Sequence, residues 1–179
     1  MLPWLMAFAG FILYLLYDID SFTALWKPLR LGFAVGTLLI AAATVMRLHA
    51  AMSEGAFCGF WDILLLLIGL LSLAALVYCL FFSLPFDATY TNPEQGRRTY
   101  TFGVYALCRH PGILCFFAMY FFWGIAALPT NFLWFGMVIS LLNLAYAFFQ
   151  DRVTFPNLAI NSLATKLFKL NFATSCKAK

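Results

Sequence analysis

The run from Trp61 to about Phe86 is the longest and most uniformly apolar stretch of the chain, with Leu, Ile and Val on every side of any helix drawn through it. Such a helix has no water-facing side, so it must be covered by protein or lipid. The whole chain decides which. Its 179 residues are 64% hydrophobic and 10% charged, whereas a soluble domain carries about 25% charge. The reading is an all-α membrane protein: in hydrocarbon, a helix satisfies its own backbone polar groups.

Five apolar segments follow from the hydropathy pattern: 3–17, 31–48, 61–86, 112–128 and 132–149, with a tail over 150–179. About five transmembrane helices, the last two forming a hairpin, make one integral membrane domain over 1–179, with no length left for a separate soluble domain. The first segment, Pro3 to Tyr17, is short, but it lacks a basic leader and a small-residue cleavage site, so it reads as a span and not a signal peptide. Asp18-Ile-Asp20-Ser21 and Lys27-Pro28-Leu29-Arg30 read as a polar loop after it, with Trp26 at headgroup level. In the second segment, Gly32 and Gly36 followed by Ala41-Ala42-Ala43 predict a close helix–helix approach inside the molecule. Arg47, His49 and Glu54 are placed in the next loop, with His49 solvated and without a chemical role. The third segment reads as structural. Asn92-Pro93 and Gln95-Gly96 make Asp87 to Phe102 a loop with turns.

Charge sets the orientation. In a five-span chain, the first loop, the third loop and the tail share a side, and they hold Lys27, Arg30, Arg97, Arg98, Arg109, Arg152, Lys166, Lys169, Lys177 and Lys179. The other side holds Arg47 alone. By the positive-inside rule the first set is cytoplasmic and the N-terminus is outside, which puts Trp4, Trp61 and Trp134 near the outer interface.

Chemistry is concentrated in Tyr105-Ala-Leu-Cys-Arg109-His110-Pro111-Gly112-Ile113, immediately before the hairpin whose turn is Pro129-Thr130-Asn131. A guanidinium and an imidazole are costly in hydrocarbon, so they sit at its edge or in a polar cavity. Pro111, with no N–H and a fixed φ, suits the first turn of the helix that follows. The plain alternative is a basic interfacial anchor.

On the last segment, Gly136, Ser140, Asn143, Ala147 and Asp151 recur on one helix face. This small, polar stripe serves either close helix packing or a cavity opening toward Asp151. In the tail, Asn157, Asn161, Thr165 and Lys169 lie opposite Ile160, Leu163, Ala164 and Leu167, predicting an amphipathic helix on the inner leaflet. Five cysteines without Cys-x-x-Cys spacing predict no metal site. Cys108, beside Arg109 and His110, reads as a small buried hydrophobe.

Gly103-x-Tyr105-x-x-x-Arg109-His110-Pro111, a helical hairpin and an acidic position after it resemble the catalytic half of the isoprenylcysteine carboxyl methyltransferase and phospholipid N-methyltransferase group. The resemblance covers Gly103 to Pro156. Those are integral membrane enzymes that use S-adenosylmethionine. The family pattern has Tyr and Gly where this chain has Ile113 and Cys115, commonly an acid where it has Gln150, and a different segment beyond Pro156.

The resemblance implies a cytoplasm-facing site made of Tyr105, Arg109, His110, Pro111, Asn143 and Asp151, with catalytic roles for Arg109 and His110. Arg109 would pair with the cofactor carboxylate, Asp151 would accept from its ammonium or ribose hydroxyls, and His110 would bond the cofactor or orient Asp151. The acceptor would be hydrophobic or lipid-linked and enter from the bilayer; a carboxylate or thiolate acceptor needs no general base. No nucleic-acid partner is expected. No Ser has a plausible His and carboxylate partner for a hydrolytic triad. Two other readings stay open: an NADPH-dependent membrane reductase resembling the sterol reductases, and a non-catalytic membrane scaffold with a degenerate site.

Overall fold

The computed structural model describes residues 1–23, 29, 31–82, 110–128 and 130–157. Five helices account for nearly all of them: α1 Leu2–Thr23, α2 Gly32–Ser53, α3 Phe60–Val77, α4 Pro111–Ala126 and α5 Phe132–Phe149. π-helical turns extend α3 over Tyr78–Phe82 and α5 over Gln150–Thr154. There is no strand among the described residues. Leu2–Ser21, Gly32–Ser53, Phe60–Phe82 and Phe132–Asn157 are each long and apolar enough to cross a membrane. At 16 residues, α4 is the short member; at 1.5 Å per residue it reaches about 24 Å against a hydrocarbon core of about 30 Å.

Local chemistry explains the ends. α2 stops in a Schellman motif: Gly55 takes φ +86°, where a side chain would be strained, so that Ala56 N–H reaches Ala51 O at 3.0 Å and Gly55 N–H reaches Met52 O at 3.1 Å. α3 starts where the Asp62 carboxylate accepts Gly59 N–H at 3.0 Å, a negative charge on the positive end of the helix. Pro111 opens α4 in the first-turn position expected for it.

Two expectations about loops are corrected. Asp18, Asp20 and Ser21 are not in a loop: α1 runs through them to Thr23. Ser21 and Thr23 hydroxyls donate back to the carbonyls of Asp18 and Ile19, and Asp18 is fully buried with polar partners from α5, so tertiary contacts carry the helix past its apolar part. Arg47 and His49 are likewise helical, because α2 continues to the Schellman turn. The expected loop Asp87 to Phe102 and the amphipathic helix beyond Asn157 lie outside the described residues.

α1 packs antiparallel on α2, α3 on α4 and α4 on α5. The Gly32/Gly36 pair does bring two backbones together inside the molecule, and α1 supplies Gly10 as its counterpart. A Cβ on Gly36 would lie 2.7 Å from Gly10 O, and one on Gly10 would lie 2.8 Å from Gly36 O. α3 lies on α4, where the Trp123 indole sits on Gly69 and donates to Leu66 O at 3.1 Å. α5 is the centre. Its Phe132, Phe135 and Ile139 are fully buried, and Gly136 lies beneath the Tyr120 ring of α4. Tyr120 in turn hydrogen-bonds Thr44 of α2. The outward faces carry Leu5, Ile12, Leu38, Leu67, Leu71 and Phe148, as lipid contact requires.

The bundle therefore has two distinct ends. At one, the edge of Trp4 meets Phe135 at 5.1 Å and the Arg47 guanidinium lies 5.7 Å from the same ring. At the other, the end of α1, the start of α4 and the end of α5 bring Asp18, His110 and Gln150 together.

Candidate functional site

The two ends of the helical hairpin meet at this second end. Pro111 sets the entry into α4 and leaves His110 as the residue just before it, with φ −129° and ψ 64°. The π turn after α5 carries Asp151. His110 Nε2 and Asp151 Oδ2 are 3.0 Å apart, with both side chains about one-quarter exposed, at 26% and 25%. A carboxylate only accepts, so the proton is on Nε2 and Nδ1 remains as the second functional atom of the ring.

Behind Asp151 lies a buried polar cluster. The Gln150 amide donates to Asp18 Oδ2 at 2.8 Å and to the Tyr146 hydroxyl at 2.9 Å. Thr154 Oγ1 donates to the same Asp18 oxygen at 3.5 Å, and both Asp18 and Thr154 are fully buried. Asp20 is 7% exposed on the same helix end. The π turn matters because one additional residue in the turn shifts side chains relative to a continued α-helix, and such turns recur at functional sites. Here Gln150 and Thr154 face α1 while Asp151 faces His110.

Of the residues expected at the site, His110 and Asp151 are brought into contact, and Pro111, buried at the start of α4, directly follows His110. Asn143 is half-buried on α5 and hydrogen-bonds neither His110 nor Asp151. Tyr105 and Arg109 lie outside the described residues. The α5 stripe faces protein: Gly136, Ser140 and Ala147 are buried. Gly136 serves packing, since a Cβ there would come 2.9 Å from Tyr120 Cβ.

Sequence reasoning missed Asp18, Tyr146 and Thr154, and gave Gln150 no structural partner. A signal for Asp18 existed. Ala7, Phe11, Tyr14 and Asp18 share one helical face, and Ala7 and Phe11 are core residues at 1% and 5% exposure. A carboxylate continuing an apolar stripe at intervals of four, three and four marks a buried acid. A second pairing had no such signal: the free thiols of Cys79, in the π turn after α3, and Cys115, on α4, are neighbours.

No protein-family model, curated protein or solved structure matches this chain.

Proposed function

We propose that this membrane protein transfers a methyl group from S-adenosylmethionine to a hydrophobic or lipid-linked acceptor, such as a prenylcysteine-like carboxylate, at the cytoplasmic face. The observation that carries the reading is the 3.0 Å contact between His110 and Asp151, which unites the two ends of the hairpin. It joins the Arg-His-Pro motif to the acidic position that follows the hairpin in the isoprenylcysteine carboxyl methyltransferase pattern.

The donor set fits the cofactor. Asp151 offers a carboxylate to an ammonium or to ribose hydroxyls, and Arg109, adjacent to His110 in sequence, offers a planar guanidinium to a carboxylate. When bound, S-adenosylmethionine supplies an electrophilic methyl on a sulfonium. The protein's task is then positional: hold the acceptor in line and keep water out. Asp151 fixes the His110 ring through Nε2, which leaves Nδ1 as the acceptor atom of the neutral ring. In the five-span reading of the sequence, ten of the eleven Lys and Arg residues fall on the side that carries this end, which supports a cytoplasmic location.

One observation favours a different class. Gln150, where the family pattern commonly has an acid, binds Asp18 and Tyr146 and so serves helix docking. A non-catalytic scaffold that kept the fold would use it in this way. Calorimetric titration of the purified protein with S-adenosylhomocysteine and with NADPH separates the readings. Saturable binding of the first supports methyl transfer, binding of NADPH alone supports a reductase, and binding of neither supports the scaffold.

A further inference from the structure

The first helix reaches the His110–Asp151 pair through a chain of contacts. Asp18 is fully buried, and its Oδ2 accepts from Gln150 at 2.8 Å and from Thr154 at 3.5 Å. Gln150 and Thr154 are the first and last residues of the π turn, and Asp151 is its second. The Gln150 amide also reaches Tyr146, one turn back on α5, so the turn is held to its own helix as well as to α1. A π turn is rare and occurs mostly as a single turn within or at the end of an α-helix, frequently at functional sites.

We propose that Asp18 is a positioning residue: by gripping both ends of the Gln150–Thr154 turn, it aims the Asp151 carboxylate at His110 Nε2 and couples the packing of α1 to the site. It acts through Asp151 and not directly on His110. The proposal rests on the reading of His110–Asp151 as the functional pair, but not on the identity of the cofactor. Its physical basis is geometric. A carboxylate one-quarter exposed at a helix end has several rotamers open to it, and a fixed backbone turn removes the alternatives.

The chain has two histidines, so the imidazole nitrogens of full-length protein labelled with ¹⁵N-histidine are resolvable in nanodiscs, with exposed His49 on α2 as internal control. Long-range proton–nitrogen spectra report which ring nitrogen carries the proton. In the native protein His110 is expected as a single Nε2–H tautomer. Asp18→Leu, which removes the acceptor at similar volume, should convert it to a mixture, as should Asp151→Ala, while His49 is unmoved in both. The double variant Asp18→Leu with Asp151→Ala should match Asp151→Ala alone. Asp18→Asn keeps an acceptor oxygen for Gln150 and should keep the native tautomer.

A native tautomer in Asp18→Leu overturns the proposal. So does an added change from Asp18→Leu on the Asp151→Ala background, which would mean direct action on His110. Equal loss in Asp18→Asn and Asp18→Leu would assign the effect to charge and overturn it too. Should Asp18→Leu fail to fold, Gln150→Met with Thr154→Val breaks the same grip from α5, and retention of the native tautomer there is equally fatal. Absence of S-adenosylhomocysteine binding in the native protein would sink the methyltransferase reading while leaving the tautomer result to decide this one.

Discussion

Asp18 accepts a 2.8 Å hydrogen bond from Gln150, 132 positions later in the chain, while fully shielded from solvent. Burying a carboxylate is costly unless it is well hydrogen-bonded, and removing one member of a buried pair leaves the other unsatisfied. Asp18→Leu should therefore lower stability by about 1–3 kcal/mol. Adding Gln150→Leu should recover part of that loss, because the orphaned amide is removed with it. Thermal unfolding in one detergent, followed for both single variants and the double, measures the coupling; strictly additive losses would show that the two side chains do not depend on each other.

Cofactor affinity tests the site itself. Asp151→Asn removes the negative charge facing His110 and should weaken S-adenosylhomocysteine binding about tenfold, about 1.4 kcal/mol. Arg109→Lys should cost about 2 kcal/mol of binding if the guanidinium holds the cofactor carboxylate in a bidentate contact. Unchanged affinity in both variants, read by calorimetry, would remove the methyltransferase assignment. Turnover should fall in His110→Ala as well.

Gly69 is where α3 admits the Trp123 indole of α4, and a Cβ there would lie 2.2 Å from two of its ring atoms. Gly69→Val should destabilise the fold by about 1–3 kcal/mol through overpacking. It should also change the tryptophan emission, since the Nε1–H bond to Leu66 O would be displaced. A variant with native melting temperature would show that the two helices separate more easily than this contact implies.

The hydroxyl pair of Thr44 and Tyr120 ties α2 to α4 at a buried position. Hydrogen bonds between membrane helices average about 0.6 kcal/mol by double-mutant cycles. Thr44→Val and Tyr120→Phe should each cost on the order of 1 kcal/mol, and together less than their sum. Thr44 also bonds Ile40 O at 2.8 Å, a local contact that survives Tyr120→Phe, so that change should be the milder.

Orientation is open to direct labelling. Exposed Cys58 lies between α2 and α3, at the end of the bundle opposite His110. In sealed cells a membrane-impermeant maleimide should modify Cys58, while a cysteine-tagged C-terminus should stay protected until the membrane is opened. Labelling of both from the same side would contradict five crossings.

The hairpin was readable from sequence because its determinants are local. Pro111 can start a helix but not continue one, and the apolar runs on either side of Pro129-Thr130-Asn131 are far too hydrophobic to leave the bilayer. The meeting of His110 with Asp151 was also legible, since two antiparallel helices of similar length return the chain to the end it left. The Gly32/Gly36 contact followed from side-chain size, although its partner Gly10 did not.

What sequence alone determined, then, is hydropathic and local: helices, a hairpin, their order across a membrane, and a basic motif opposite an acid. Whether α1 ended at Tyr17 or ran on to Thr23 was not a local question. Asp18 and Asp20 are poor continuations of an apolar span by composition, and a loop was the cheaper assignment for them. The arrival of Gln150 and Thr154 on a π turn supplies Asp18 with hydrogen-bond donors in its buried position, and that turn is in turn held by Asp18. Neither half of this arrangement is favourable alone, because a buried carboxylate without donors costs free energy and a π turn is rare beside a continued α-helix. Their mutual stabilisation exists only once residues 132 positions apart are packed together, so it was decided by the tertiary structure.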